Sequence, residues 1–180
     1  MLKIINDSSK VLHEICDEVS LPLSNADEKT LLEMLDYLKK SQDQSYCEKH
    51  KIRSGVGLAA PQIGIKKRMY AVYYENEDGK IIQYALVNPK IISNSTKLCA
   101  LQGGEGCLSV DEDKKGYVYR YNKVLIKAYD LLQKKEVIIT ARGYDAIVLQ
   151  HELDHLNGIL YYDRINKNDP FERKSNSELI

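Results

Sequence analysis

The sequence predicts an α+β domain, with mostly antiparallel β-sheets around a central helix that carries His-Glu-x-x-His and a further helix near the N-terminus. Two observations predict it. Apolar residues recur at helical spacing in one stretch near each end of the chain. Between them lie runs rich in β-branched and aromatic residues, separated by turn-like segments. At 180 residues the chain suits one domain with a full core.

The first helix is expected from Ser24 to about Gln42. Ser24 and Asp27 have the spacing of a capping box, and Leu31, Leu32, Met34, Leu35 and Leu38 form an apolar stripe. A core-facing stripe is a simpler account than a partner-binding face. Residues 42–53 are polar and aperiodic, and a loop is expected there. From Lys67, RMYAVYYE and IIQYALVNPKIIS read as strands separated by Asn76-Glu77-Asp78-Gly79, a turn signal. KVLIKAYD and KKEVIITARG form another pair, joined around Leu132-Gln133-Lys134. Between Ala141 and Gly158 the period becomes helical again. Tyr144, Ile147, Val148, His151, Leu153, His155 and Leu156 fit a helix buried on much of its surface, and Gly158 suits its C-terminal cap. The expected boundary falls near Asn166, giving one domain at 1–165 and a polar tail at 166–180 in which only Phe171 suggests packing.

Composition excludes several classes. The 26 basic and 26 acidic side chains balance, which gives no sign of nucleic acid or acidic lipid as the main partner. MLKIINDSSK lacks the apolar core of a secretory signal, and no apolar run approaches the ~20 residues of a membrane span. A cytoplasmic protein is expected. Cys16, Cys47, Cys99 and Cys107 are too few for a disulfide scaffold, so each is a packed hydrophobe or a reactive or metal-binding thiol.

The chemistry begins at QHELDHLNG, residues 150–158. On a helix His151 and His155 share one face, about 5–6 Å apart at Cβ, with Glu152 beside them. A catalytic metal usually takes three protein ligands and leaves one position open. One protease pattern puts a third histidine six residues past the second, but that position is Tyr161 and no histidine follows His155. The best substitute lies upstream in GGEGCLS, where Cys107 sits among glycines and small residues. A thiolate is a strong ligand for a borderline-soft metal. Asp163 and Glu172 are the competing ligands. Asp163 is awkwardly close to His155, and Glu172 sits in the polar tail. His13 and His50 read as surface histidines, and Cys16, Cys47 and Cys99 as packing or incidental thiols. A third segment, GVGLAAPQIG from Gly55 to Gly64, lets backbone approach a ligand closely, and the Gln62 amide could donate to an oxyanion.

GVGLAAPQ, EGCLS and QHELDHLNG, in this order, resemble the three signature motifs of peptide deformylase. The longer segment before GVGLAAPQ and the reading EGCLSV resemble the subgroup of Gram-positive bacteria and mycoplasmas. The resemblance implies a metal-dependent hydrolase that removes the N-formyl group from the N-terminal formylmethionine of newly made proteins. It implies Cys107, His151 and His155 as ligands of one divalent ion, Fe(II) above all, with zinc, nickel or cobalt able to replace it. Glu152 would be general base and acid to an attacking metal-bound water. Gln62 and the Leu108 N–H would hold the oxyanion. Val56 and Gly57 could pair with the peptide backbone, and Ile147 and Val148 could line the methionine pocket, though a plain core role suits them equally. Asp154 is expected to pair with Arg120 or Arg142. The implied partners are N-formylmethionyl nascent peptides, with transient ribosome contact, no specific nucleic acid, no membrane and a monomeric state. Two other readings stay open: a metallopeptidase with Asp163 or Glu172 as third ligand, and a non-catalytic metal-stabilised domain.

Overall fold

The computed structural model describes residues 2–180. Helix α1 runs from Asn25 to Ser41, with Ser24 as its N-cap. The Ser24 hydroxyl oxygen accepts from the Asp27 N–H at 3.1 Å and donates to the Asp27 carboxylate at 2.8 Å, which satisfies one of the free amides of the first turn. Leu31, Met34, Leu35 and Leu38 are buried, as the stripe requires, while Leu32 faces out. Each such side chain contributes about 1.5–3 kcal/mol on burial.

The expected loop at 42–53 is instead largely a short helix, α2, from Gln44 to His50. It buries no residue. Asp43 caps it by accepting from the Tyr46 N–H, and the Tyr46 and His50 rings meet one turn apart. Local caps make this helix, and a search for apolar periodicity cannot see it.

The strands are β1 (Gly57–Ala59), β2 (Met69–Glu75), β3 (Ile81–Asn94), β4 (Leu98–Ala100), β5 (Arg120–Tyr121), β6 (Lys123–Asp130), β7 (Lys135–Arg142) and β8 (Ser177–Leu179). The larger sheet has the order β1-β2-β3-β6-β7 and is antiparallel throughout. A smaller sheet has the order β5-β4-β8, in which β4 and β8 are parallel.

Helix α3 spans Gly143–Leu156. The larger sheet lies between the two long helices, and β2 explains why. Its alternate residues Met69 and Ala71 join the apolar cluster of α1, while Tyr70, Val72 and Tyr74 join the cluster of α3. A strand buried on both faces reads as a continuous apolar run, as RMYAVYYE nearly does. Helix α3 in turn is buried on most of its length, and it stops where Gly158 adopts φ +70° beside the backbone of His13.

Both ends of the described chain are tied to the body. The Ile5 N–H donates to the Gln62 carbonyl and the Asp7 N–H to the Ser109 carbonyl. Within 166–180, the Pro170 carbonyl accepts from Tyr117, β8 pairs with β4, and Ile180 exchanges bonds with Ala100 and Gln102. No helix among the described residues is long and apolar enough to cross a membrane.

Candidate active site

Three segments build the site. Helix α3 brings His151 and His155 one turn apart, with ring centroids 5.0 Å from each other. The loop between β4 and β5 lays Cys107 over them, its Sγ 3.3 Å from His155 Nε2. One donor atom from each of Cys107, His151 and His155 lies within 4.8 Å of the others, and they form the only such cluster among the described residues. That spacing lets all three reach one ion at bond lengths of about 2.0–2.3 Å, and thiolate with imidazole suits a borderline divalent metal. Burial pushes the His155 imidazole well below its ordinary range, while at His151 the bonds to Cys107 and Glu105 outweigh burial and raise it.

The competing ligands are elsewhere engaged. Asp163 accepts from the Leu160 N–H at 2.9 Å, and exposed Glu172 pairs with Asn166. Tyr161, at the position of the missing histidine, is buried beside the cluster. Its ring stacks on His151 with centroids 6.1 Å apart, and its hydroxyl accepts from the Lys114 N–H. His13 and His50 are exposed. Cys16 and Cys99 are buried, which pushes each thiol up to about 11.

Behind the cluster runs a buried ionic chain. His151 Nδ1 lies 2.7 Å from a Glu105 carboxylate oxygen, which fixes the ring and directs Nε2 to the cluster. Arg120 grips Glu105 with two bonds of 2.6 and 2.9 Å and gives another to Asp154 at 2.8 Å. Burial alone would raise the Glu105 carboxyl, but the Arg120 guanidinium, together with His151, more than reverses this and holds it down at about 2. Asp154 also receives two bonds from Arg164. Of the two partners expected for Asp154, Arg120 is present and Arg142 is exposed elsewhere. Glu105 and Arg164 were not singled out by the sequence. Glu105 lies two residues before Cys107 in the motif itself, which is the signal that could have found it.

Glu152 sits at the border between the cluster and the core. Its carboxylate packs on the Cα of Gly57, where any Cβ would collide with it. Burial raises its carboxyl to about 7, against the pull of His151 and Arg120, and its Oε2 has no partner among the described residues. Gln62 lies in the single helical turn after β1 and is 1% exposed. Its Oε1 accepts from the Ala59 N–H at 2.8 Å, and its amide nitrogen lies 3.4 Å from Cys107 Sγ and 3.2 Å from Ser109 Oγ. The Leu108 N–H donates to no described protein group.

These residues open onto a cleft of about 360 Å³. Val56 and Gly57, Ile147 and Val148, and Cys107, Leu108, Gln62, His151 and Glu152 all line it. His155 lies beneath, 1% exposed. Arg53, Leu101 and Tyr144 also line the cleft, unforeseen from the sequence.

Comparison with known proteins agrees with this architecture. The sequence profile of the polypeptide deformylase family matches residues 1–171. The chain is 47% identical to peptide deformylase 2 of Bacillus subtilis (strain 168), covering 100% of this chain and 97% of that protein. It is 50% identical to a peptide deformylase of Staphylococcus epidermidis, covering 96% and 94%. Among solved structures, the Met-Ala-Ser-bound class I type b peptide deformylase of Acinetobacter baumannii superimposes with a TM-score of 0.71 at 33% identity, over 92% of this chain and 98% of that one. The peptide deformylase of Thermus thermophilus gives 0.73 at 27% identity, over 93% and 87%. The chain therefore belongs to the peptide deformylase family, whose members remove the formyl group from nascent peptides, and to the type found in Gram-positive bacteria.

Proposed function

We propose that this chain releases formate from N-formylmethionyl peptides at a divalent ion held by Cys107, His151 and His155. The observation that carries the reading is the convergence of those three donors beside a buried, partnerless Glu152 carboxylate. A bound ion supplies the Lewis acidity that makes water nucleophilic at neutral pH. Iron(II) is the expected ion, with zinc, nickel or cobalt able to fill the same donor set.

The chain's own residues supply the rest. Glu152, raised to about 7, can take a proton from the attacking water and return it to the departing amine without a large change in energy. As charge develops on the formyl oxygen, the Leu108 N–H and the Gln62 amide are the donors facing the cleft. The Gln62 amide protons point at Sγ and Ser109 Oγ through bonds of 3.2–3.4 Å, and one must be exchanged for the charged oxygen. A shorter, charge-assisted bond favours that exchange. β1 is an edge strand of its sheet, so an extended peptide can add beside Val56 and Gly57 through main-chain bonds, with its methionine side chain against Ile147 and Val148. The Acinetobacter relative bound to Met-Ala-Ser supports this choice of ligand. On this reading the chain works as a monomer in the cytoplasm and meets its substrates as they leave the ribosome.

Protein loaded with iron, nickel or cobalt without air is expected to release formate from formyl-Met-Ala-Ser. Glu152→Gln should keep the metal and the fold while turnover falls by about 10²–10⁴. Absence of formate release from the wild type with every metal would overturn the reading. Survival of metal content and activity in Cys107→Ser, with their loss in Glu172→Ala, would move the third ligand.

A further inference from the structure

Arg53 precedes the glycine-rich segment of the cleft and reaches across to the loop between β4 and β5. Its Nη1 donates to the Val110 carbonyl at 3.0 Å, and its Nη2 donates to the carbonyls of Cys107 at 3.0 Å and Leu108 at 2.6 Å. Three carbonyls of one loop thus converge on one guanidinium. The base of this strut is itself fixed. Gln42, the C-cap of α1, donates to the Gly55 carbonyl at 2.7 Å, and the Gly55 N–H donates to the Ser41 hydroxyl. The Leu108 side chain packs where a Cβ on Gly55 would stand.

A trans peptide unit is planar, with its C=O and N–H pointing in opposite directions. The Cys107 carbonyl and the Leu108 N–H belong to one such unit. Holding the Cys107 carbonyl, which also accepts from the Val110 N–H at 3.1 Å, against Arg53 therefore aims the Leu108 N–H away from Arg53, and that N–H donates to no described protein group. The same bond withdraws charge from the carbonyl oxygen and makes the N–H at the far end a stronger donor. We infer that Arg53 is a positioning residue that orients and polarises the Leu108 N–H, the backbone donor to the oxyanion. This inference rests on the reading of the site above. A lysine could not replace the guanidinium, because one ammonium does not present the planar fork that serves three carbonyls.

The test uses the metal-loaded wild type, Arg53→Ala and Arg53→Lys with formyl-Met-Ala-Ser. Removing one oxyanion donor outright costs about 10²–10³ in kcat, so misaiming it is expected to cost about 10–100-fold in kcat, with KM little changed. Metal content and thermal midpoint should stay near wild type. Backbone amide exchange at Leu108 should speed up in both variants, and added guanidinium ion should restore part of the kcat of Arg53→Ala but not that of Arg53→Lys. An Arg53→Ala enzyme within twofold of wild type overturns the inference, as does a loss of kcat explained entirely by lost metal. If Arg53→Ala does not fold, Arg53→Lys is judged by the same kcat, metal and exchange criteria. A wild type that releases no formate overturns the site reading instead, and the exchange rate of Leu108 then decides the strut alone.

Discussion

Tyr70 and Glu152 each bury a polar oxygen that finds no partner among the described residues, and the two cases have different physical meanings. Glu152 stands in the cleft, where a carboxyl raised by burial is useful for moving protons. Tyr70 lies in the core between the sheet and α3, where a lone hydroxyl only costs desolvation. Tyr70→Phe is therefore expected to raise stability by about 1 kcal/mol, read as a higher denaturation midpoint. A lower midpoint would mean that the hydroxyl is bonded in solution. At this scale residue type and spacing in the sequence pointed to Cys107, His151, Glu152 and His155, and the structure brings them together. The sequence hid those whose meaning is a contact. Nothing about Arg53 or Arg164 in their own surroundings says that three carbonyls or a buried carboxylate will lie opposite them.

Among the elements, the long ones were legible and the short ones were not. Helix α1 and strands β3, β6 and β7 carry a period on one face, while β2 and α3 show as apolar runs of strand and helix length. Helix α2 and strands β4, β5 and β8 are too short for a period to register, and they exist because of caps or because a neighbour supplies the bonds. The contact between β1 and α3 makes a sharp prediction. Gly57→Ala puts a methyl group into the Glu152 carboxylate, so activity should fall at least about tenfold while the thermal midpoint changes little. Unchanged turnover would show that Glu152 can move aside freely. The joint between α3 and the β4–β5 loop makes another. Glu105→Ala leaves the buried Arg120 with Asp154 as its one carboxylate partner and should cost up to about 3–5 kcal/mol of stability. Glu105→Gln keeps the shape and should chiefly weaken metal retention, by about 10–100-fold in a chelator competition. Equal metal affinity in Glu105→Gln and wild type would remove Glu105 from the support of His151.

For the whole molecule, the ligands of the proposed ion come from two distant segments, so an ion ties the β4–β5 loop to α3 in the folded state only. Stripping it is expected to lower the thermal midpoint, in keeping with about 2.7 kcal/mol of stabilisation at a free metal concentration 100 times Kd. An unchanged midpoint would argue against binding at this place. Acid should loosen a different joint. Asp27, on α1, accepts from Lys67, just before β2, and this bond with that of Ser24 holds its carboxyl below the ordinary aspartate range. A carboxyl depressed by folding stabilises the protein above its unfolded value, and that contribution disappears as the pH falls through the folded value. Lys67 is partly exposed, so screening limits the effect to under about 1 kcal/mol. Asp27→Asn should lower stability at neutral pH by that amount and flatten the decline in strong acid.

The order of these segments along the chain also bears on synthesis. The cleft needs residues 53–62, the loop at 105–109 and the helix at 151–155, and the backbone of 5–7 braces two of them. A growing copy that has not yet exposed α3 owns the glycine-rich segment and Cys107 but neither His151 nor His155. Its catalytic life begins only once translation has delivered nearly all of the described chain.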